Sequence, residues 1–314
     1  MKPWTLLDAP SMTGKHVLIT GGNSGLGFET ARMLVSLGAN VVLACRNLQK
    51  AQQAIEQLRL EYPKHTIDYV LLDLSKLQSV RTMAEIVNSW GTPLDLLLNN
   101  AGVLAGPFQR TEDGFERQIG TNHFGHFALT GLLFPALSRS KSPRVVTVSS
   151  LAHTMAHLSI NELLCSDSPR HYVPRWAYYR SKLANLLFTY ELARLSEAHD
   201  ASLKSIGVHP GIARTNLFSQ ESKKPITPWH YRILPMHSAR EGALSLVRAC
   251  VDEDAKNGDY YGPSGWLGIR GAPKKVKSSP RSHDPILAKD LWSCSQQLTQ
   301  VIYQWELLDK EGHQ

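Results

Sequence analysis

Two tyrosines precede a lysine in the stretch AYYRSK, which spans residues 177–182. Tyr178 lies four residues before Lys182 and Tyr179 lies three before it, so both would neighbour the lysine on a helix, and spacing alone does not choose between them. A phenol, whose ordinary pKa is about 10, exchanges protons poorly at neutral pH. A nearby ammonium group favours the phenolate and lowers that pKa. The stretch therefore indicates a tyrosine that gives a proton to a substrate oxygen or takes one from it.

Proton transfer of this kind also needs a hydroxyl group from elsewhere in the chain to hold the substrate oxygen. Ser149 and Ser150 end the valine-rich run RVVTVSS, which we predict to be a buried strand. Both serines are available at the end of that strand, and the residues alone leave the choice open.

The elements that would position these groups alternate regularly along the chain. The predicted strands span His16–Thr20, Asn40–Cys45, 66–74, 93–100, 144–150 and 205–210, and the predicted helices span 25–37, 48–62, 76–90, 115–137, 176–196 and 238–252. Continuous apolar strands between helices are typical of a parallel sheet that is covered on both faces. We therefore predict an α/β, single-domain Rossmann fold with a doubly wound, mostly parallel sheet and helices on both faces.

The single predicted domain comprises residues 1–314. A cofactor half would span about 13–150 and a catalytic and substrate half about 151–314. After Pro210 the alternation fades, and the proline-rich, polar stretch 219–235 indicates an irregular segment. A short strand is expected around Tyr260, within a loop-rich stretch.

A glycine-rich turn, TGGNSGLG at residues 20–27, joins the first predicted strand to the first predicted helix. Glycines let the backbone approach a phosphate closely, and the free N–H groups at the start of a helix favour an anion. An ordinary strand-to-helix turn is the alternative. The position between a strand and a helix favours a dinucleotide-binding turn.

The end of the second strand, with the sequence ACRN, bears on the choice of dinucleotide. An acidic residue there would bind the ribose hydroxyls of NAD, whereas Arg46 can pair with the 2′-phosphate of NADP. No carboxylate competes at this position, so we predict NADP(H) in preference to NAD(H). Asp73 and Leu74 end the third predicted strand. The Asp73 carboxylate could accept a hydrogen bond from the adenine amino group. Alternatively, it could cap the following turn through Ser75 and Lys76.

The motifs of the chain resemble those of the short-chain dehydrogenase/reductases. The resemblance covers about residues 13–215 and rests on motifs in a fixed order: TGGNSGLG, NNAG at 99–102, VSS, Tyr-x-x-x-Lys and HPG at 209–211. The stretches LACRN, NHFGHF, RVVTVSS and YYRSKLANLLF are similar to the retinol dehydrogenase-like branch, which includes the oxidoreductase part of the WW-domain oxidoreductase.

The resemblance implies a role for each residue of the catalytic cluster. The family's tyrosine lies four residues before the lysine, so Tyr178 would be the acid/base and Lys182 would bind the nicotinamide ribose. Ser150, rather than Ser149, would bind the substrate oxygen. Asn122 matches the asparagine that holds a proton-relay water. The segment between Ser150 and Tyr178 is a few residues longer than we expect for retinol dehydrogenases.

The predicted cofactor contacts combine the resemblance with the arguments above. They are Thr20, Gly21, Asn23, Ser24, Gly25, Leu26, Gly27, Arg46, Asp73, Leu74, Asn100, Ala101, Gly102, Tyr178, Lys182, Pro210, Gly211 and Thr215.

The function predicted from these residues is that of an NADP(H)-dependent oxidoreductase. It would transfer hydride between nicotinamide and an apolar aldehyde or ketone, or the matching alcohol, of the retinoid, steroid or lipid-carbonyl type. A non-catalytic NADPH-binding sensor or scaffold protein is the alternative. The intact catalytic set argues against it, because a sensor does not need that alignment. The family often forms dimers, so the resemblance also allows a homodimer.

Composition limits the other classes of function. The formal charge of +7 over 314 residues comes without a long basic run or zinc-finger spacing, so we predict no nucleic-acid partner. The four cysteines are scattered, which favours a reducing compartment. No run of about 18 apolar residues occurs, so no transmembrane anchor is predicted, and we expect a soluble, cytoplasmic protein.

Some histidines and aromatic residues suggest further roles. His123 with His126, and His153 with His157, have the spacing of metal-ligand pairs on a helix, but no carboxylate or cysteine completes either set. We therefore predict structural or substrate-loop roles and no metal. Five aromatic residues flank the predicted site and are expected either to pack in the core or to line an apolar pocket: Tyr172, Trp176, Phe218, Trp229 and Trp266.

Overall fold

An eight-stranded sheet forms the centre of the computed structural model, which describes residues 2–104, 106–160, 172–213 and 238–308. The strands are β1 (His16–Thr20), β2 (Asn40–Cys45), β3 (Ile67–Leu71), β4 (Leu96–Asn99), β5 (Arg144–Val148), β6 (Lys204–Val208), β7 (Tyr260–Pro263) and β8 (Pro273–Lys275). Their order in the sheet is β3-β2-β1-β4-β5-β6-β7-β8. Neighbours from β3 to β7 run parallel, and β8 runs antiparallel to β7.

Helices pack on both faces of this sheet. They are α1 (Gly25–Ser36), α2 (Leu48–Glu61), α3 (Leu77–Ser89), α4 (Arg117–Ile119), α5 (Gly125–Leu132), α6 (Phe134–Leu137), α7 (Pro174–Ala198), α8 (Ala239–Val251) and α9 (Pro285–Thr299). In β1, Val17 and Ile19 pack into one apolar core with α1, α2 and α8, whereas Leu18 packs into a second core with α3, α5 and α7. Successive side chains of a strand point to opposite faces, so the strand contributes to both cores. The predicted α/β Rossmann fold, doubly wound and mostly parallel, is confirmed.

The helical region predicted over about 115–137 is present between Arg117 and Leu137, although it is not one regular α-helix. The chain instead forms α4, a π-helical turn at Gly120–Phe124, α5 and α6. Two glycines of this region leave no room for a side chain. A Cβ on Gly120 would lie 2.6 Å from Cγ2 of Thr111, and one on Gly125 would lie 2.4 Å from the carbonyl oxygen of Leu74. The break between α5 and α6 follows from Pro135, which has no backbone N–H to continue the helix.

The last strand, β8, was not predicted. It is three residues long, contains a proline and two lysines, and therefore lacks the apolar run by which the other strands are recognised. The strand expected around Tyr260 is present as β7.

The active-site helix, α7, is 25 residues long and begins two residues before its predicted start at 176. Pro174 lies in its first turn, where a missing N–H removes no helical hydrogen bond. Among the described helices, none combines the length and the hydrophobicity that a bilayer-spanning segment needs.

Candidate active site

The turn after β1 brings its backbone close to neighbouring atoms. Gly21 and Gly25 have φ angles of +65° and +56°, a left-handed conformation that glycine adopts without strain. A Cβ on Gly27 would lie 2.5 Å from the carbonyl oxygen of Gly21 and 2.5 Å from Nδ2 of Asn100, so a side chain does not fit there. The first turn of α1 has no acidic residue, and its N-cap residue Ser24 makes no capping side-chain hydrogen bond. The backbone N–H groups at the start of α1 can therefore serve an anion at the turn.

Thr20 lies beneath this turn and joins it to the end of β4. Its hydroxyl accepts hydrogen bonds from the backbone N–H groups of Asn100 and Ala101, both at 2.9 Å. The Nδ2 group of Asn100 donates to the carbonyl oxygen of Thr20 at 2.8 Å. The glycine turn and the NNAG segment are thus one hydrogen-bonded unit.

Arg46 and Asp73 follow β2 and β3 and line the same cavity as the turn. The Arg46 side chain is exposed. One carboxylate oxygen of Asp73 accepts from the N–H of Ser75 at 3.0 Å and from its hydroxyl at 2.6 Å. The turn-capping alternative for Asp73 is therefore present, and its contact with adenine stays a prediction.

The catalytic candidates meet where α7 passes the end of β5. Tyr178 and Lys182 lie four residues apart on α7 and are 9% and 4% exposed. The Ser150 side chain, two residues after β5, lies near enough to the Tyr178 phenol to lower its pKa in part. Ser149 instead donates to the carbonyl oxygen of Lys182 at 2.8 Å. Of the two serines, Ser150 is the one beside the phenol.

Burial dominates the acid–base properties of this pair. It raises the pKa of Tyr178 to about 12, although the nearby Ser150 side chain lowers that pKa in part. It also lowers the pKa of Lys182 to about 8. In the chain alone the net shift of the Tyr178 pKa is therefore upwards, because burial disfavours the phenolate, and the lowering by Lys182 stays a prediction. For the complex with an oxidised nicotinamide, a lowered pKa stays a prediction.

Two hydrogen bonds converge on the carbonyl oxygen of Val148 and orient the lysine. Nζ of Lys182 and Nδ2 of Asn185 both donate to it at 3.0 Å. A Cβ on Gly102 would lie 3.6 Å from Nζ of Lys182 and 3.3 Å from Oδ1 of Asn122. The lysine, the NNAG segment and Asn122 therefore lie side by side.

Asn122 lies behind the cavity wall, buried in the π-helical turn. Its Nδ2 group donates to the carbonyl oxygen of Val103 at 3.0 Å and to Oγ of Ser181 at 2.9 Å, and its Oδ1 accepts from the N–H of Val103 at 2.8 Å. The side chain is thus committed to holding the loop after β4 against α7.

His126 connects Asn122 to the glycine turn. Its Nδ1 lies 3.0 Å from the carbonyl oxygen of Asn122, which can only accept, so Nδ1 carries the proton. Its Nε2 then accepts a hydrogen bond from the hydroxyl of Thr20 at 2.9 Å. Burial lowers the pKa of His126 to about 4, so the imidazole stays neutral near neutral pH.

A single cavity of about 1140 Å³ joins these groups. Its lining contains most of the predicted site residues: Gly21, Asn23, Ser24, Gly25, Leu26, Gly27, Arg46, Asp73, Leu74, Asn100, Ala101, Gly102, Ser150, Tyr178, Lys182, Pro210 and Gly211. Thr20 and Asn122 are buried just behind the lining. Thr215 lies outside the described residues.

Comparison with known proteins places this geometry in a family. A family model described as short chain dehydrogenase matches residues 15–161. Retinol dehydrogenase 12 from Homo sapiens is 36% identical over 297 residues, which cover 94% of this chain and 89% of that protein. The chain belongs to the short-chain dehydrogenase/reductase family. Within it, the chain is retinol dehydrogenase-like.

Two further proteins are similar to this short-chain dehydrogenase/reductase along most of its length. Polyprenol dehydrogenase from Homo sapiens is 33% identical over 303 residues, which cover 93% of this chain and 87% of that protein. A crystal structure of an uncharacterized protein from Mycobacterium paratuberculosis has a TM-score of 0.80 at 39% identity and covers 96% of this chain and 100% of that chain. The chain is therefore an oxidoreductase of this family, acting on CH–OH or C=O groups.

Beyond the predicted site residues, the cavity of this short-chain dehydrogenase/reductase has a mostly apolar side, which we call the substrate side. This side is lined by Leu104, Pro107, Leu151, Met155, Val173, Arg175 and Tyr179. These residues lie in the loops after β4 and β5 and around the start of α7, and all but Tyr179 lie outside the family motifs. The sequence signal that could have identified these residues is their position next to NNAG, VSS or Tyr178.

The aromatic residues near the site differ from expectation. Trp176 and Trp266 are 46% and 78% exposed, so the prediction that they pack in the core is wrong for both. The hydroxyl of Tyr172 donates to Glu116 at 2.7 Å. None of these three aromatic residues is among the residues that line the cavity. Phe218 and Trp229 lie outside the described residues.

Three histidines with metal-ligand spacing are engaged in hydrogen bonds within the chain. His126 bonds as described above, Nε2 of His123 lies 2.9 Å from Oγ of Ser295, and both ring nitrogens of His153 have backbone partners. Over the described ranges, no three metal-ligating side chains form a group.

Proposed function

We propose that this protein is an NADP(H)-dependent oxidoreductase that interconverts an apolar aldehyde or ketone and the matching alcohol. The observation that carries the proposal is the placement of Ser150, Tyr178 and Lys182 in one cavity with the glycine turn and Arg46. Relatives named for retinol and polyprenol support an apolar alcohol or carbonyl substrate. The mostly apolar residues on the substrate side of the cavity support the same class.

The shape of the cavity fits a dinucleotide. At Gly27 a Cβ would collide with the carbonyl oxygen of Gly21 and with Nδ2 of Asn100, so the glycine lets α1 begin in close contact with the turn, as a dinucleotide-binding turn requires. The cavity of about 1140 Å³ exceeds the roughly 300–1,000 Å³ of ordinary small-molecule sites, so it has room for a cofactor and a substrate together. Arg46 would bind the 2′-phosphate, and the start of α1 would bind the pyrophosphate.

The proposed reaction divides the work between the cofactor and the chain. A bound nicotinamide supplies or accepts the hydride. The Ser150 hydroxyl binds the substrate oxygen and directs it to the phenol. In carbonyl reduction, Tyr178 gives its proton to the developing alkoxide, and in alcohol oxidation the phenolate removes the proton. Lys182 holds the ribose, and the protonated form of Lys182 supplies positive charge near the phenol.

The first test is cofactor binding followed by turnover. The purified protein would be titrated with NADPH and NADH by fluorescence, and oxidation of the bound cofactor would be followed with a panel of apolar aldehydes and ketones. We expect tighter binding of NADPH and turnover of part of the panel. Tight binding without turnover, together with a reproducible protein partner in pull-down experiments, would favour a sensor or scaffold instead.

The cofactor preference is tested by Arg46→Asp. The variant loses a charge-assisted pair with the phosphate and gains a repulsive carboxylate, so we expect the ratio of NADPH to NADH efficiency, each as kcat/KM, to fall about 10- to 100-fold. Lys50→Asp makes the same charge change in the exposed first turn of α2 and is the matched control. An unchanged ratio in Arg46→Asp would show that another residue selects the cofactor.

The cytoplasmic compartment is also a proposal. Cys45, Cys250 and Cys294 are free and buried, which fits a reducing environment.

A further inference from the structure

The loop that carries Ser150 into the active site is a short 3₁₀ turn, Leu151–Met155. Ser150 is its N-cap residue, and the Ser150 hydroxyl accepts from the N–H of Ala152 at 3.2 Å. The position of this hydroxyl beside Tyr178 therefore depends on how the turn is held.

His153 fixes this turn to a distant part of the chain. Its Nδ1 lies 2.6 Å from the carbonyl oxygen of Ser150, and its Nε2 lies 3.0 Å from the backbone N of Ser279. The carbonyl oxygen can only accept and the backbone N–H can only donate, so one neutral tautomer, with the proton on Nδ1, satisfies both partners.

The surroundings of His153 keep this tautomer in place. The side chain is 2% exposed, and its ring meets that of Tyr260 edge-on, with 5.8 Å between ring centres. Burial lowers the pKa of His153, although the bond to Ser150 opposes this shift. A protonated ring would place a second N–H against the N–H of Ser279 and break the bond between them.

The segment Ser278–His283, which we call the strap, is itself anchored on the active-site helix. Oγ of Ser278 lies 2.7 Å from the hydroxyl of Tyr190, which belongs to α7. The ring of His283 stacks on that of Tyr190 with 4.3 Å between centres. Arg281 adds a second link to the loop, because its guanidinium donates to the carbonyl oxygen of Ala156 at 3.0 Å. The strap thus joins the loop of Ser150 to the helix of Tyr178.

We propose that His153 is a positioning residue, which holds the Ser150 hydroxyl beside Tyr178 by bonding the backbone of Ser150 to that of Ser279. The inference rests on the proposed function, in which Ser150 binds the substrate oxygen. A small displacement of a catalytic group, of the order of 1 Å, can lower a rate by about 10²-fold. Loss of the link should therefore lower kcat by displacing Ser150. His153 itself is not among the residues that line the cavity.

The test removes the link from each side. His153→Ala deletes the imidazole, and Ser279→Pro replaces the donating N–H with a ring carbon and removes the hydroxyl, at a residue whose φ of −66° suits proline. We expect each variant to lower kcat about 10- to 100-fold with little change in the Kd for NADPH. Because both changes break the same bond, the double variant should lose little more than His153→Ala alone.

Conservative and control variants separate positioning from general destabilisation. His153→Asn can still donate to the carbonyl oxygen of Ser150 but is too short to reach Ser279, so its kcat should fall between wild type and His153→Ala. The control is Thr154→Ala, which deletes a 2.8 Å bond from the next side chain to the carbonyl oxygen of Leu151. Its kcat should stay within about twofold of wild type, because Thr154 is exposed and its hydroxyl bonds within the turn itself.

Hydrogen exchange over residues 150–156 gives a readout that does not depend on turnover. We expect faster exchange in His153→Ala and Ser279→Pro but not in Thr154→Ala. Wild-type kcat or unchanged exchange in His153→Ala would overturn the inference while leaving the proposed function intact. Absence of turnover in the wild type, with faster exchange in both variants, would overturn the proposed function and leave the structural link established.

Discussion

Tyr178→Phe is expected to lower kcat by about 10²–10⁴-fold while leaving the Kd for NADPH close to that of the wild type. The change removes one hydroxyl from a buried ring and leaves the shape of the cavity intact. What is lost is the hydroxyl near Ser150, with the proton that would be given to the substrate oxygen. The measurement is steady-state turnover of one carbonyl substrate, with cofactor binding followed separately by fluorescence.

Tyr179→Phe addresses the alternative that the spacing of AYYRSK leaves open. Tyr179 also lines the cavity, so some change in KM is acceptable, but its loss of kcat should be far smaller than that of Tyr178→Phe. The assignment of Tyr178 fails if Tyr178→Phe retains turnover, or if the two variants lose the same amount.

The raised pKa of Tyr178 also predicts a direction for the pH dependence. A phenol whose pKa is about 12 is almost fully protonated at neutral pH, the form needed to reduce a carbonyl. Alcohol oxidation needs the phenolate, so its rate should rise with pH until the pKa of the complex is reached. Bound oxidised nicotinamide should bring that pKa below about 12 by adding positive charge.

Lys182→Met is the second large effect, and it separates activity from stability. Burial holds the pKa of this lysine at about 8 in the folded chain, against an ordinary value of 10.5. At 1.36 kcal/mol per pKa unit, the buried ammonium destabilises the fold by roughly 3 kcal/mol at pH 7. Methionine removes this penalty and also the bond to Val148, whose carbonyl oxygen keeps Asn185 as a partner. We expect the free energy of unfolding to rise by about 2 kcal/mol at pH 7, while turnover is lost.

The direction of this change in stability can be checked by measuring the free energy of unfolding at several pH values. Between pH 8 and 10.5 the unfolded chain binds more protons at residue 182 than the folded chain does, so wild-type stability gains relative to the variant as pH rises. The advantage of Lys182→Met should therefore be full below pH 8 and shrink towards pH 10.5. Lys256→Met, at an exposed position, is the matched control and should show no such trend. A variant less stable than wild type at pH 7 in chemical denaturation would contradict the argument.

The parts of the fold that could be predicted are those with strong local patterns. β1 and β2 lie where their valine- and leucine-rich runs predicted them, and α1, α2 and α3 end within one residue of expectation. The helical region at 115–137 could be predicted, but its division into shorter pieces could not. Pro135 interrupts it because proline has no backbone N–H, whereas the close approach of Thr111 to Gly120 and of Leu74 to Gly125 becomes visible only in three dimensions.

In the candidate site, too, the local sequence patterns could be predicted and the contacts between distant residues could not. The residues of the glycine turn are close together in the sequence, and so are the two residues of the Tyr-x-x-x-Lys pair. Their proximity in the folded chain could therefore be predicted. The link between His153 and Ser279 joins residues 126 positions apart, so the spacing of His153 and His157 predicted a structural or substrate-loop role but could not identify the partner. The raised pKa of Tyr178 could not be predicted from its charged neighbour, because burial depends on how α7 packs against β5.

The two ends of the sheet differ in how readily they could accept a strand from another molecule. At one end, β8 is three residues long and begins with Pro273, which has no N–H to donate, and its two lysines are exposed. Proline and lysine on an edge strand oppose edge-to-edge pairing and so resist aggregation. At the other end, β3 is five residues long, contains Asp68 as its single charged residue and ends at the half-exposed Leu71, while the guanidinium of Arg59 donates to the carbonyl oxygen of Ile67. Pairing with another strand is therefore opposed at β3 by side chains that could move away, and at β8 by a proline that cannot supply the N–H.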